Sequence, residues 1–382
     1  MNWWFGRKSA LPEGRGFVPS FLQGEAVGTG FARGYAAQLD EVYLRNPIGQ
    51  RSVRLVAGMV GGLPIYAAPS TGSGQAGQEK AVALVTREGL LEEVAAGLLL
   101  HGNAYVRLIA DGRERPVELH ALRPERVSIA TDAAGWPAAY VYRAGTAKAA
   151  RISGRDAMGR RQVAHLRALN PSDDHYGLGC LEAAIGAASV HNRASRWNKA
   201  LLDNAARPSG ALTYEPGDGA ALGTEQYERL KAELAEQFSG SPNAGRPLLL
   251  EGGLKWQALS LTPADMDFVA LKEGAARDIA LAFGVPPVLV GLPGDATYAN
   301  AREAGRALYR QTVLPLANRI LAGMSALLSD WVGEIRLAVD TDLLTELSED
   351  RARLWAQVGA ADFITRDEKR EMLGYAPEGE GQ

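Results

Sequence analysis

Apolar residues recur at steps of three and four over two long stretches in the last third of the chain. In the first, Phe268, Leu271, Ala275, Ile279 and Phe283 make one stripe, which predicts a helix of about 20 residues from Thr262 to Phe283. Thr262 offers a capping hydroxyl, Pro263 stands at the first helical position and Asp265 places an acid in the first turn. Gly284 ends the helix, and Pro286, Pro287, Gly291, Pro293 and Gly294 exclude helix from the next stretch. Asn300, with Glu303 three positions on, predicts a restart by a capping box, and the second helix runs to about Trp331. At ~1.5 Å per residue it is about 45 Å long, more than a compact core of this size needs. Pro315 in its middle removes a backbone hydrogen bond and predicts a kink.

The rest of the pattern is mixed. Residues 1–33 carry glycine, arginine and aromatics without periodicity, which predicts an irregular arm whose Trp3, Trp4 and Phe5 are candidates to dock on a neighbour. Two helices broken near Asn46-Pro47 come next, then a strand from Leu63 to Ala67 and a Gly/Ser-rich surface loop over 70–77. Glu88–Leu100 reads as a helix stopped by Gly102. Short strands are expected at 104–109, 117–122, 126–130, 139–143 and 162–166, with Asp132-Ala133-Ala134-Gly135 as a hairpin turn. This region is α+β. A polar loop over 170–180 leads into a long helix, 181–206, on which Arg193, Arg196 and Lys199 form a basic stripe. A small unit comes after it: a strand at 209–214, a helix at 224–238 and a hairpin around Gly252-Gly253. A strand at 335–339, helices at 347–358 and 366–373, and a small acidic tail close the chain.

Length and composition narrow this reading. The chain has 382 residues, 46% of them hydrophobic and 22% charged, enough for two or three folded domains. A static nucleic-acid grip calls for a basic excess, and the net charge is -3. No continuous apolar run approaches the roughly 18 residues of a membrane span, and Met1–Phe5 does not open a signal peptide. The single cysteine, Cys180, excludes an internal disulfide, from which we expect assembly in a cytoplasm.

Candidate chemistry is sparse. No phosphate-cradling loop ending in Lys-Ser or Lys-Thr occurs, Gly177-Leu178-Gly179 lacks the third glycine of a dinucleotide fingerprint, and the five histidines stand in no metal-ligand spacing. No cofactor and no metal are expected. Asp265 and Asp267, two apart on a helix, do not face each other as a metal pair would. Cys180, at a helix start with Asp173 and His175 nearby, is the one candidate nucleophile, and a helix N-terminus lowers a thiol's pKa. A cysteine hydrolase is therefore one alternative reading, and a tail or scaffold component another.

Gly102–Tyr105, Gly177–Gly179, Ala206–Gly210, Leu249–Gln257, Ile279–Pro287, Ala296–Asn300 and Thr312–Pro315 stand in a fixed order. In that order they resemble the portal proteins of tailed phages of the Hong-Kong-97 type, a family that gene transfer agents also use. The resemblance implies a non-enzymatic subunit of a dodecameric ring at one capsid vertex, through which double-stranded DNA passes. It divides the chain into an arm (1–33), a wing (34–180), a stem helix (181–206), a clip (207–261), a second stem helix (262–284), a tunnel loop (285–299), a long kinked helix (300–331), and a wing return with reduced crown and tail (332–382). By the same resemblance Asp295, Thr297, Tyr298 and Asn300 touch DNA in the channel. The clip, with Glu215, Asp218, Lys255 and Trp256, receives the terminase and then the head-tail adaptor. The major capsid protein surrounds the ring, and no membrane is involved. Arg193, Arg196 and Lys199 on one stem helix and Asp267, Glu273 and Asp278 on the other are expected to pair between subunits.

Overall fold

A computed structural model describes residues 34–68, 74–87, 89–145, 148–203, 210–214, 223, 225–226, 228–229, 232, 254–258, 268–292 and 298–374. Helix α1 (Tyr35–Leu39) runs straight into a π turn, Asp40–Leu44. The expected break at Asn46-Pro47 is present. The Asn46 side chain accepts from the amides of Ile48 and Gly49, and Pro47 opens α2 (Pro47–Gly61). Strand β1 (Ile65–Ala68) pairs antiparallel with β10 (Arg336–Val339), Ile65 opposite Val339, so the far end of the chain returns to the N-terminal part.

Helix α3 (Gln75–Val85) starts inside the stretch expected to be loop. Its buried Ala81, Leu84 and Val85 supply packing that outweighs the glycines at its start. Helix α4 (Leu90–His101) ends at Gly102, left-handed at φ 78°. Two three-stranded antiparallel sheets come after it. One has the order β3 (Pro116–Leu122), β2 (Asn103–Ala110), β7 (Val163–Arg167); the other runs β4 (Val127–Thr131), β5 (Pro137–Tyr142), β6 (Ala150–Ser153). Strand β6 is not among the expected elements, since Ala150-Arg151-Ile152-Ser153 has one large apolar side chain to announce it. Strand β2 is buried on both faces: Ala104, Val106 and Leu108 enter the main core, whereas Tyr105 enters a second core with Val127, Ile129, Tyr140 and Tyr176.

Helix α5 (Leu181–Asp203) packs along α6 (Phe268–Ala282), and β8 (Gly210–Tyr214) pairs antiparallel with β9 (Leu254–Ala258). The other strand of the expected hairpin, 247–251, lies outside the described residues, as do the capping residues Thr262–Asp265. Of the α6 stripe, Ala275, Ile279 and Phe283 are buried, but Leu271 is 48% exposed.

The long helix is continuous from α7 (Tyr298–Leu308) through a π turn (Tyr309–Val313) into α8 (Leu314–Val332). Asn300 is therefore in the first turn and does not cap it, which corrects the expectation from sequence: the helix begins two residues earlier, at Tyr298. The irregularity expected at Pro315 takes the form of the π turn just before it, where the Leu314 amide bonds back to the Tyr309 carbonyl. Pro315 has no N–H for the Gln311 carbonyl, and the wider turn relieves the clash its ring would make there. By length and mean composition this helix passes for a membrane span. Its apolar side, however, with Ile320, Leu321, Met324, Leu327 and Leu328, is buried in the protein core. Each such side chain contributes about 1.5–3 kcal/mol by its burial. Helices α9 (Ser348–Ala360) and α10 (Arg366–Met372) end the fold, the latter with a complete capping box between Thr365 and Glu368.

Candidate channel segment and ring surfaces

Two of the short strings, Gly102-Asn103 and Gly177-Leu178-Gly179, meet at the base of α5. Asn103 Oδ1 accepts from the Gly177 amide (2.8 Å) and from His165 Nε2 (3.0 Å), while its Nδ2 donates to the Gly177 carbonyl (3.1 Å) and to His101 Nδ1 (3.1 Å). The Ala168 amide donates to Gly102 O at 2.8 Å and the Cys180 amide to Leu99 O at 2.8 Å. Backbone lies against backbone here: a Cβ on Gly177 would overlap Gly102 O and sit 2.6 Å from the Ala168 nitrogen. Glycine is needed for close approach, and the strings are a joint at the start of α5. Burial holds His101 at a pKa of about 4. Burial first, and then Arg167, His101 and His175, hold His165 at about 3.

A second joint holds α5 farther along its length. Asn46, besides capping α2, donates from Nδ2 to Asn192 Oδ1 (2.9 Å) and approaches His191 Nδ1 (3.3 Å), and Asn192 donates to the Glu41 carbonyl (2.8 Å). Asn46, His191 and Asn192 are all buried. Burial, followed by the charge of Lys272, lowers the His191 pKa. Asn46→Ala is expected to destabilise the protein by about 2–4 kcal/mol, because it removes a cap and leaves buried partners unpaired. Asn46→Asp restores only the cap, so its loss in urea denaturation should be intermediate.

Arg193, Arg196 and Lys199 are all exposed on α5. Arg196 reaches Glu41 of its own chain at 4.0 Å. On α6, Asp278 is exposed and Glu273 half-buried, and Asp267 lies outside the described residues. Beside these charges stand apolar residues with little cover in one chain: Trp197 at 44%, Val269 at 70% and Leu281 at 76% exposure.

The residues expected in the channel fall only partly within the described residues. Asp295 and Thr297 lie outside the described residues. Tyr298 opens α7, and Asn300 is exposed in its first turn. On the near side of the segment a short 3-10 turn, Pro287–Val290, leads to Gly291. Of the four residues expected in a clip, Lys255 and Trp256 are on β9 opposite Thr213 and Leu212, and Glu215 and Asp218 lie outside the described residues.

Cys180 does not have the environment of a nucleophile. Burial pushes its thiol pKa up, against the lowering expected from a helix N-terminus. Asp173 is engaged by the amides of His175 and Tyr176, at 2.7 and 2.9 Å. Among the described residues no cluster of three metal-ligating side chains occurs.

A mixed α+β part, two packed helices, a two-stranded β unit and a long helix interrupted by a π turn make up a fold of the phage portal type. The phage portal protein family model matches residues 47–374, and the chain belongs to that family. The family is structural rather than enzymatic. A chain in the neck of a native gene transfer agent particle, computed with C12 symmetry, is 43% identical, with 90% of this chain and 94% of that chain covered and a TM-score of 0.66. The portal protein of Enterobacteria phage HK97 is 24% identical over 98% of this chain and 90% of its own. An uncharacterized protein of Rickettsia bellii (strain RML369-C) is 39% identical over 93% of this chain and 92% of its own.

Proposed function

We propose that this chain is the portal ring subunit at the unique vertex of a phage or gene transfer agent particle, forming the channel by which DNA enters and leaves. The observation that carries the reading is the family match over 47–374 together with 43% identity to a chain of a twelvefold-symmetric particle neck. Twelve copies close the ring through the stem. There Trp197, Val269 and Leu281 are buried by the neighbouring copy, and Arg193 and Lys199 meet Glu273 and Asp278 across the joint. Exposed ion pairs contribute up to about 1 kcal/mol each, so burial supplies most of the affinity and charge sets the register.

Asp295, Thr297, Tyr298 and Asn300 line the channel and touch passing DNA by weak, sequence-independent contacts, for which a net charge of -3 is suited, since a sliding polymer must not be gripped. The clip, with Glu215, Asp218, Lys255 and Trp256, docks the terminase and later the head-tail adaptor, and the wing meets the major capsid protein. The work of packaging comes from the motor's ATP. The protein itself catalyses nothing.

Native mass spectrometry with negative-stain imaging of the same sample tests this. Closed rings near twelve subunits with a central hole are expected. A monomer that persists at high concentration and with shell protein present would overturn the reading. Deletion of 292–297 should leave the ring intact and impair packaging or DNA retention; unchanged packaging would remove the channel role from that segment.

A further inference from the structure

The N-terminal half of α7 is tied to α9 by charge. From Ala299 to Ala307 every residue is exposed or half-buried, and Leu308 is the first that is buried. Leu308 shares the main core with Leu344 and Leu347, the residues that lead into α9. Beyond that apolar base α7 packs against the Pro287–Val290 turn, and its contacts with α9 are ionic. Glu349 of α9 pairs through Oε1 with Arg302 Nη1 at 3.0 Å and through Oε2 with Arg306 Nη2. The Arg306 side chain is only 12% exposed, lies 3.5 Å from Glu303, and donates from Nε to the Glu346 carbonyl at 3.3 Å. Below this cluster comes the π turn, where Thr312 Oγ1 donates to Gly284 O at 2.8 Å and ties the helix to the end of α6.

We propose that Glu349 is a positioning residue: a releasable electrostatic clamp by which the C-terminal unit fixes α7, with the π turn as the pivot about which α7 moves when the clamp opens. One carboxylate holds two arginines one helical turn apart, so its loss removes both ion pairs to α9 and leaves Arg306 its weaker bond to the Glu346 carbonyl. A half-exposed ionic attachment is screened by salt where an apolar one is not. A π turn stores one residue more than an α-helical turn, and passing it along the helix changes the direction of the part beyond it without breaking the part below. That the freed end carries the channel segment rests on the portal reading; the clamp itself does not.

Hydrogen exchange on the full chain in its native oligomeric state tests the clamp. In Glu349→Gln at low salt, amides of 299–307 should exchange about fivefold faster, and those of 314–332 should not change. Arg302→Gln, which removes one of the two partners, should give a smaller acceleration over the same residues. In the unsubstituted protein ~1 M salt should reproduce most of the Glu349→Gln effect. Unchanged exchange over 299–307, or equal acceleration through 314–332, would overturn the proposal. Ring symmetry is not read by this measurement, so a failed clamp leaves the portal reading standing, and a monomer with an intact clamp leaves the clamp standing.

Discussion

Alanine at Gly177 should cost the protein about 3 kcal/mol or more and prevent assembly at physiological temperature. The new methyl would overlap the Gly102 carbonyl oxygen and lie 2.6 Å from the Ala168 nitrogen, both backbone atoms that no rotamer change can move aside. Relief would require opening the joint, and with it the bonds from Asn103 to both polar groups of Gly177. The matched control is Gly135→Ala at the β4–β5 hairpin, where φ is 87° but nothing lies within 4 Å of the added atom. That change costs only the left-handed backbone penalty, about 1–2 kcal/mol. Thermal melts of the two variants should separate widely. Similar losses would mean that the α5 joint is not close-packed.

Acid should loosen the same joint well before the carboxylates titrate. His101 and His165 are held neutral, at about 4 and about 3, against an unfolded value near 6.5. Their folded pKa values lie below the unfolded ones, so the unfolded chain binds protons that the native chain refuses. The stability they contribute is complete above pH ~6.5 and is lost as the pH falls toward about 4. At pH ~4.5 each histidine should cost about 2–3 kcal/mol. The hydrogen bonds point the same way: a protonated His101 would present an N–H at Nδ1 to the Nδ2 donor of Asn103, now 3.1 Å away. Urea midpoints measured from pH 7.5 to 4.5 should fall steeply, and His101→Gln with His165→Gln should flatten the curve. A curve of the same slope in the double variant would exclude these residues as its cause.

Both predictions concern a joint that local sequence patterns do not reveal, although it is built from strings that carry the family resemblance. Glycine in Gly102-Asn103 and Gly177-Leu178-Gly179 reads locally as a helix stop and a loop. Its real constraint is the approach of two backbones about 75 residues apart, of which no short window carries a trace. The same holds for Asn46. The helix break it makes with Pro47 is legible, whereas its bonds to His191 and Asn192, from α5, are not.

What the sequence by itself determined is the set of elements that periodicity and punctuation specify: the break at Asn46-Pro47, α4 with its glycine stop, the strands around the Asp132–Gly135 turn, α5, α6 and the long helix with its disturbance near Pro315. These depend on backbone hydrogen bonding and one-sided burial, which are local. Strings in fixed order also carried the family, because a shared order of motifs is a property of the chain alone. Tertiary structure decided the rest. It placed β10 against β1 and turned Tyr105 out of the main core into a second one. It began α7 at Tyr298 ahead of the expected cap, converted the proline kink into a π turn, and buried Cys180 where its thiol is raised. It also set Glu349 between Arg302 and Arg306, a pairing that exists only once the C-terminal unit has folded back on the long helix. Each of these turns on which surfaces are brought together and what solvent is excluded between them, and neither quantity is written in any one segment.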